Sequence, residues 1–217
     1  MIYYSGVEIS VIAIIKEVLI SFAAVVTACA AWSGLKTWSK QLAANLNTEV
    51  SRALLRALFK VREDISDVRF SIIAGAEYVV ALQKVGIPEV NMEDKESRWK
   101  ADAAVYQVRL DKLNNSIAEF NAAIIEAEVL WGQDIKTLAK PLFKKIGQLK
   151  SAIRMYLRSL KREGEKLRGK DATKIDEVLY DDSKEGEPDA YFSEVLEIIG
   201  EIEKFIRKRF PYQKESS

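Results

Sequence analysis

The sequence predicts an all-α protein: an N-terminal transmembrane helix followed by an antiparallel bundle of long helices or coiled-coil hairpins. Three observations carry this. Only 10 Gly and 4 Pro interrupt 217 residues, so the elements run long. Apolar residues recur at steps of three and four through most of the chain, and no stretch alternates with a period of two. Near the N-terminus, Val18 to Leu35 form a run of 18 residues without a charge.

That run is the first element. A helix needs about 20 mostly apolar residues to cross the hydrocarbon core of a bilayer. The apolar stretch Ile9 to Ile15 precedes the run across Lys16-Glu17. Trp32 and Trp38 stand where an interfacial aromatic belt falls, and Lys36, Lys40, Arg52 and Arg56 follow on the C-terminal side. Lys16, at the other edge, reads as an interfacial anchor and not as part of a pore. Basic residues after the span place the body of the chain in the cytoplasm. The expected division is a short external or interfacial segment at 1–17, a transmembrane helix at 18–35, a cytosolic helical bundle at 36–210 and a tail at 211–217.

Two other readings of this run compete. One is a core helix buried in a soluble bundle. The other takes Val26-Thr27-Ala28-Cys29 as similar to a bacterial lipobox, with Cys29 lipidated, but the first fifteen residues hold no Lys or Arg to serve as a signal's positive region. Within the run, Ala23, Thr27 and Ala31 repeat every four residues, and Ala30 with Gly34 makes a parallel pair. Small residues at this spacing let two helices approach closely in lipid, so this face is the expected site of self-association.

Beyond Trp38, Leu42, Leu46, Val50, Leu54 and Leu58 step by four, then Val61, Ile65, Val68 and Ile72 alternate three and four. Gly75 and then Gly86-Ile87-Pro88 mark the end of this helix. A second helix carries the most regular seam: Trp99, Ala103, Tyr106, Leu110, Leu113, Ile117, Phe120, Ile124, Ala127 and Trp131. Asp94, alone or with Asn91, caps its start, and Gly132 and Pro141 bracket its end. A third seam runs Leu142, Ile146, Leu149, Ile153, Tyr156 and Leu160. The fourth is Phe192, Val195, Ile199, Ile202 and Ile206, with Pro188 as a first-turn proline. Between these two, residues 163–189 read as a loop with a turn or two of helix around Ile175, Val178 and Leu179.

Composition narrows the chemistry. There is no histidine, which removes Ser-His-Asp and Cys-His catalysis and His-ligated metal sites. The single cysteine, Cys29, excludes an intrachain disulfide and a thiolate cage. No Walker A sequence, GxGxxG or nucleophile elbow is present. Glu126, Glu128 and Asp134 near Trp131, and the pair Asp181-Asp182, read as solvated carboxylates. Trp99 and Trp131 fall on the seam and read as core. No cofactor, metal or catalytic group is expected.

The net charge is +1, yet residues 140–170 are net +9 and residues 171–203 net −10. A basic face of Lys144, Lys145, Lys150, Arg154, Arg158, Lys161 and Arg162, continued by Lys140, has the chemistry to hold phosphates of nucleic acid or lipid. An acidic helix packed beside the basic one neutralises both, and this compensation is the expected arrangement. With Tyr156 the one aromatic near that face, nucleic acid is not the expected partner.

Gly34-Leu35-Lys36-Thr37-Trp38 with Gln41-Leu42, the stretch Ala53 to Arg62, and Glu126 to Gly132 resemble a group of uncharacterised small single-span bacterial membrane proteins. Where members of that group carry a proline before a phenylalanine, this chain has Arg69-Phe70. The resemblance implies topology and a bacterial origin, and no activity; with the span, the expected location is the bacterial inner membrane. The expected function is a non-enzymatic scaffold or tether at the lipid bilayer, acting as a homo-oligomer or with a cytosolic protein partner. The alternative is a membrane-perturbing effector, antiphage or toxin-like, that oligomerises through its span. A third reading, a soluble nucleic-acid binder, uses the basic helix.

Overall fold

The computed structural model describes residues 5–87, 91–161, 170–180 and 189–210. These residues are all-helical, with no strand among them. Six helices follow in order: α1 Ser5–Arg69, α2 Gly75–Val85, α3 Lys95–Trp131, α4 Asp134–Lys161, α5 Lys170–Leu179 and α6 Ala190–Arg207. Arg162, Asp181, Asp182, Pro188 and the 211–217 tail lie outside the described residues. The chain divides into two compact units, residues 1–46 and residues 47–217.

The second unit is the bundle. From Asn47 onward α1 buries Leu54, Leu58, Val61, Ile65 and Val68, which pack with Leu113, Phe120, Leu142, Leu149, Ile199 and Ile202 in one core. α3 runs antiparallel to α1. Trp131 Nε1 donates to Asn47 at 2.8 Å, Lys60 pairs with Glu119 at 2.8 Å, and Arg109 near the other end donates to the Phe70 carbonyl at 2.6 Å. α4 returns along α3: Phe143 meets Phe120, Lys150 meets Asn114, and Trp99 Nε1 donates to the Leu157 carbonyl at 2.9 Å. α6 runs back along α4, from Tyr191, whose hydroxyl donates to the Lys145 carbonyl at 2.8 Å, to Phe205 against Trp131. α2 and the start of α3 share a smaller core of Ala81, Leu82, Ala101, Ala104 and Val105.

The four seams are in place with departures, and the first begins at Val50 because Leu42 and Leu46, expected on it, are exposed. Tyr106, Leu113, Phe120, Ile124 and Ala127 are buried, and the remaining α3 seam positions are partly so. On α4 the seam holds from Leu142 to Tyr156, which is partly buried against the core, and then moves from Leu160, which is exposed, to Leu157, which packs against the core. α1 stops at Arg69, so Ile72 lies outside it and is exposed. Gly75 opens a separate helix instead of closing α1. The reason is Arg109: its guanidinium binds the Phe70 and Ile72 carbonyls and the Glu77 carboxylate, fixing an extended linker that a continuing helix would abolish. Pro141 sits inside α4 instead of ahead of it. Its missing N–H leaves the Thr137 carbonyl without a helical donor, and Thr137 is exposed to water. Around Ile175 the chain forms ten helical residues, α5, burying Ile175 and Leu179.

Helix ends are set by side chains and two glycines. Asp94 accepts from the Ser97 N–H at 2.9 Å, and Asp189 from the Phe192 N–H at 3.0 Å. Gly86 closes α2 at φ 73°, ψ 24°, the left-handed cap, whereas Gly132 between α3 and α4 sits at φ 78°, ψ −170°. A Cβ at either position meets nothing within 4 Å, so backbone conformation alone sets the cost. The second conformation is nearly exclusive to glycine. Gly132→Ala therefore lowers unfolding free energy by about 1–3 kcal/mol and Gly86→Ala by about 1 kcal/mol, read from urea midpoints of the detergent-solubilised chain. A larger loss at Gly86 than at Gly132, or none at either, contradicts the assignment.

Candidate association surfaces

In the first unit, Ile15 to Leu46 belong to α1, and from Ile15 to Leu35 every side chain is exposed. Phe22 is 68% exposed, Leu19 62% and Val25 61%, values that place the apolar surface outward and remove the buried-core-helix reading for this unit. An 18-residue window here has mean hydropathy 2.0 and none of it is buried. Among the described residues one helix is thus long and apolar enough to cross a membrane.

Three of its hydroxyls are folded inward. Thr27 Oγ1 donates to the Ala23 carbonyl at 2.8 Å, Ser33 Oγ to the Cys29 carbonyl at 2.6 Å, and Thr37 Oγ1 to the Ser33 carbonyl at 2.9 Å. Hydroxyls satisfied by the preceding turn carry no unmet hydrogen bond into lipid. Ala23, Thr27 and Ala31 share one exposed stripe, with Ala30 and Gly34 on a neighbouring one, and a Cβ on Gly34 meets nothing within 4 Å. Cys29 is a free, exposed thiol. Lys16, Trp32, Lys36, Trp38 and Lys40 are exposed at the two edges of the apolar segment.

In the second unit, the basic residues of α4 do not share one face. Lys145 turns toward α6, where it pairs with Glu194 and lies over the Tyr191 ring. Lys150 turns toward α3 and donates to Asn114 Oδ1 at 2.6 Å; burial holds its pKa below the ordinary lysine value. Among the described residues Arg154 reaches only its own helix, at the Lys150 carbonyl, and Lys161 lies 4.9 Å from the Trp99 ring centroid. Lys140, Lys144 and Arg158 are exposed and enter no ion pair among the described residues. α5 and α6 do pack on α4, as charge compensation anticipates. Yet a single ion pair, Lys145–Glu194, joins the two blocks among the described residues, so most of the basic charge stays in solvent.

Reading the sequence missed three polar clusters. Arg69, 4% exposed, closes α1 by donating to the Glu177, Val178 and Tyr180 carbonyls at the end of α5 and to the Asp189 carboxylate, against the Tyr191 and Phe192 rings. Arg109 holds the linker already described. Asp64, 2% exposed, accepts from Ser116 and pairs with Lys112 at 3.0 Å, and hydrogen bonds to Asp67 and Asp64 raise the Lys112 pKa. Each uses a charged residue on a seam-bearing helix, where sequence offers no sign that it points inward. Glu126, Glu128 and Asp134 are not gathered: Glu128 faces Lys136 at 3.5 Å, and the other two are exposed. No group of three or more Cys, Asp or Glu side chains fit to hold a metal occurs among the described residues.

No family model, no curated protein and no solved structure matches this chain.

Proposed function

We propose that the chain is a membrane-anchored helical scaffold, non-enzymatic, that tethers its own copies or a cytosolic protein at the inner membrane of a bacterium. The observation that supports it is the exposed apolar helix from Ile15 to Leu35, in which the Thr27 and Ser33 hydroxyls are turned onto their own backbone. Such a surface fits a lipid surrounding. Lys36, Lys40, Arg52 and Arg56 after the span favour a cytoplasmic body. The Ala23–Thr27–Ala31 stripe offers a second span a close approach. The test is to extract the protein from membranes into lipid nanodiscs without prior detergent and weigh single particles. Dimers, higher copies or a complex with a second protein are expected; a uniform population of lone monomers contradicts the reading.

The same stripe, with Gly34 open beside it, also favours a second function: an effector whose spans cluster and depolarise the cell. Overexpression with a potential-sensitive dye separates the two. Growth arrest with depolarisation supports the effector, and harmless accumulation supports the scaffold.

A further inference from the structure

α4 and α6 lie side by side, antiparallel, and form one face of the bundle. Charge across this face is sorted. On α4, Lys136, Lys140 and Lys144 follow at steps of four and are exposed. At 100° per residue they centre about 140° around the helix from Lys145, the residue that reaches α6, so they occupy the flank away from α6. On α6, Glu194, Glu197 and Glu201 follow at steps of three and four, exposed, on the flank that meets α4 through Glu194. Between the two stripes, Thr137, Pro141 and Gln148 are exposed and uncharged. Read across its width, the face runs basic, neutral, acidic.

The heights of the stripes agree as well. Glu194 is level with Lys145 through their ion pair. Since α6 runs opposite to α4, Glu201, seven residues later, is level with the start of α4 around Leu138. The three glutamates therefore span the same height as the three lysines. A two-fold axis parallel to the helices and passing through the neutral strip keeps heights unchanged and exchanges left for right. It lays α4 of one copy on α6 of the other, twice.

We propose that this face is a self-complementary interface for a second copy of this chain, with Lys136, Lys140 and Lys144 of each protomer against Glu194, Glu197 and Glu201 of its partner. Lys140, Lys144, Glu197 and Glu201 have no ion pair among the described residues, so their charges are open to a partner copy. The operation leaves Asn47, the first residue of the bundle, at the same end in both copies, as two chains entering from one membrane require. Exposed ion pairs are individually weak, so these charges fix orientation and partner identity more than strength. The proposal rests on the scaffold reading above and names the surface through which copies meet.

The test uses the full chain in native membranes, with Cys29→Ser and Gln148→Cys placing one thiol beside the axis. Mild oxidation yields a disulfide dimer. K140E/K144E, or E197K/E201K, reduces it at least ten-fold, because each variant then faces its own charge. Co-expressing the two variants restores it, since every α4 then meets an oppositely charged α6; this rescue also shows that both variants fold. A parallel chain with Cys29→Ser and Thr27→Cys reports association through the span. Crosslinking at position 27 but not at 148 overturns the interface and leaves the scaffold intact; none at either, with lone monomers, overturns both. Crosslinking at 148 that ignores charge reversal, or that disappears on nuclease treatment, also overturns the proposal.

Discussion

Replacing Arg69 by alanine lowers the stability of the bundle by about 3–5 kcal/mol, the usual loss when one partner of a buried charge pair is removed. Arg69 is 4% exposed and Asp189 is 12% exposed at its side chain, so water replaces little of what is lost. The guanidinium also supplies the donors for three carbonyls at the end of α5, where no further helical turn exists to satisfy them. Asp189 in turn caps α6 through the Phe192 N–H. One side chain on α1 thus holds the close of α5 and the opening of α6. Arg69→Lys keeps the charge but loses the planar fork, and falls between wild type and alanine. The double variant Arg69→Ala/Asp189→Ala costs less than the sum of its parts, because the orphaned carboxylate is gone. Urea unfolding of the detergent-solubilised chain measures the loss, and amide exchange locates it in α5 before the α3–α4 hairpin. A change within about 0.5 kcal/mol, the range of ordinary surface substitutions, contradicts the role given to Arg69.

An arginine in place of Val26 moves most of the protein out of the membrane. Val26 is near the middle of the 18-residue uncharged run and its side chain is exposed, so the new charge has no protein groups to pair with. A charge at mid-span costs about 2.5–3.5 kcal/mol on the translocon scale, roughly a hundred-fold in the insertion equilibrium. The run is rich in alanine, which is only weakly lipophilic, so little reserve offsets this. Ser39→Arg, thirteen residues on and among Lys36 and Lys40, leaves insertion unchanged. Glycosylation-site mapping or membrane flotation measures the split. Equal insertion of the two variants contradicts the span.

Helical periodicity was legible because core positions on a helix must be apolar and evenly stepped: the α3 seam from Trp99 to Trp131 and the α6 seam from Phe192 to Ile206 are where the spacing predicts. Asp94 was legible as a cap for the same reason, a short acceptor ahead of a periodic run. Pro141 was misleading, since an exposed helix edge tolerates the missing donor. Gly75 was misleading because the break at Arg69 is enforced from α3 by Arg109, 39 residues along the chain from the Phe70 carbonyl it binds, with no local signal to mark it. Arg69, Arg109 and Asp64 were not legible at all: a charged residue reads as surface until its partners are known. Seven basic residues from Lys144 to Arg162 read as one face, yet on α4 Lys145 and Lys150 turn to opposite flanks. The Glu194–Glu201 stripe has no sequence signature separating it from any solvated helix, and only its place beside α4 gives it meaning.

Residues 18–35 are proposed to cross a bilayer and leave the bundle in the cytoplasm, a topology open to direct test. Its most direct measurement is fractionation of cells expressing the full chain with a topology reporter at either terminus, followed by alkaline extraction of the membranes. The account predicts that the protein stays with the membrane pellet, that the C-terminal reporter is active in the cytoplasm and that the N-terminal one is active outside it. Intact protein recovered from the aqueous fraction without detergent contradicts the account.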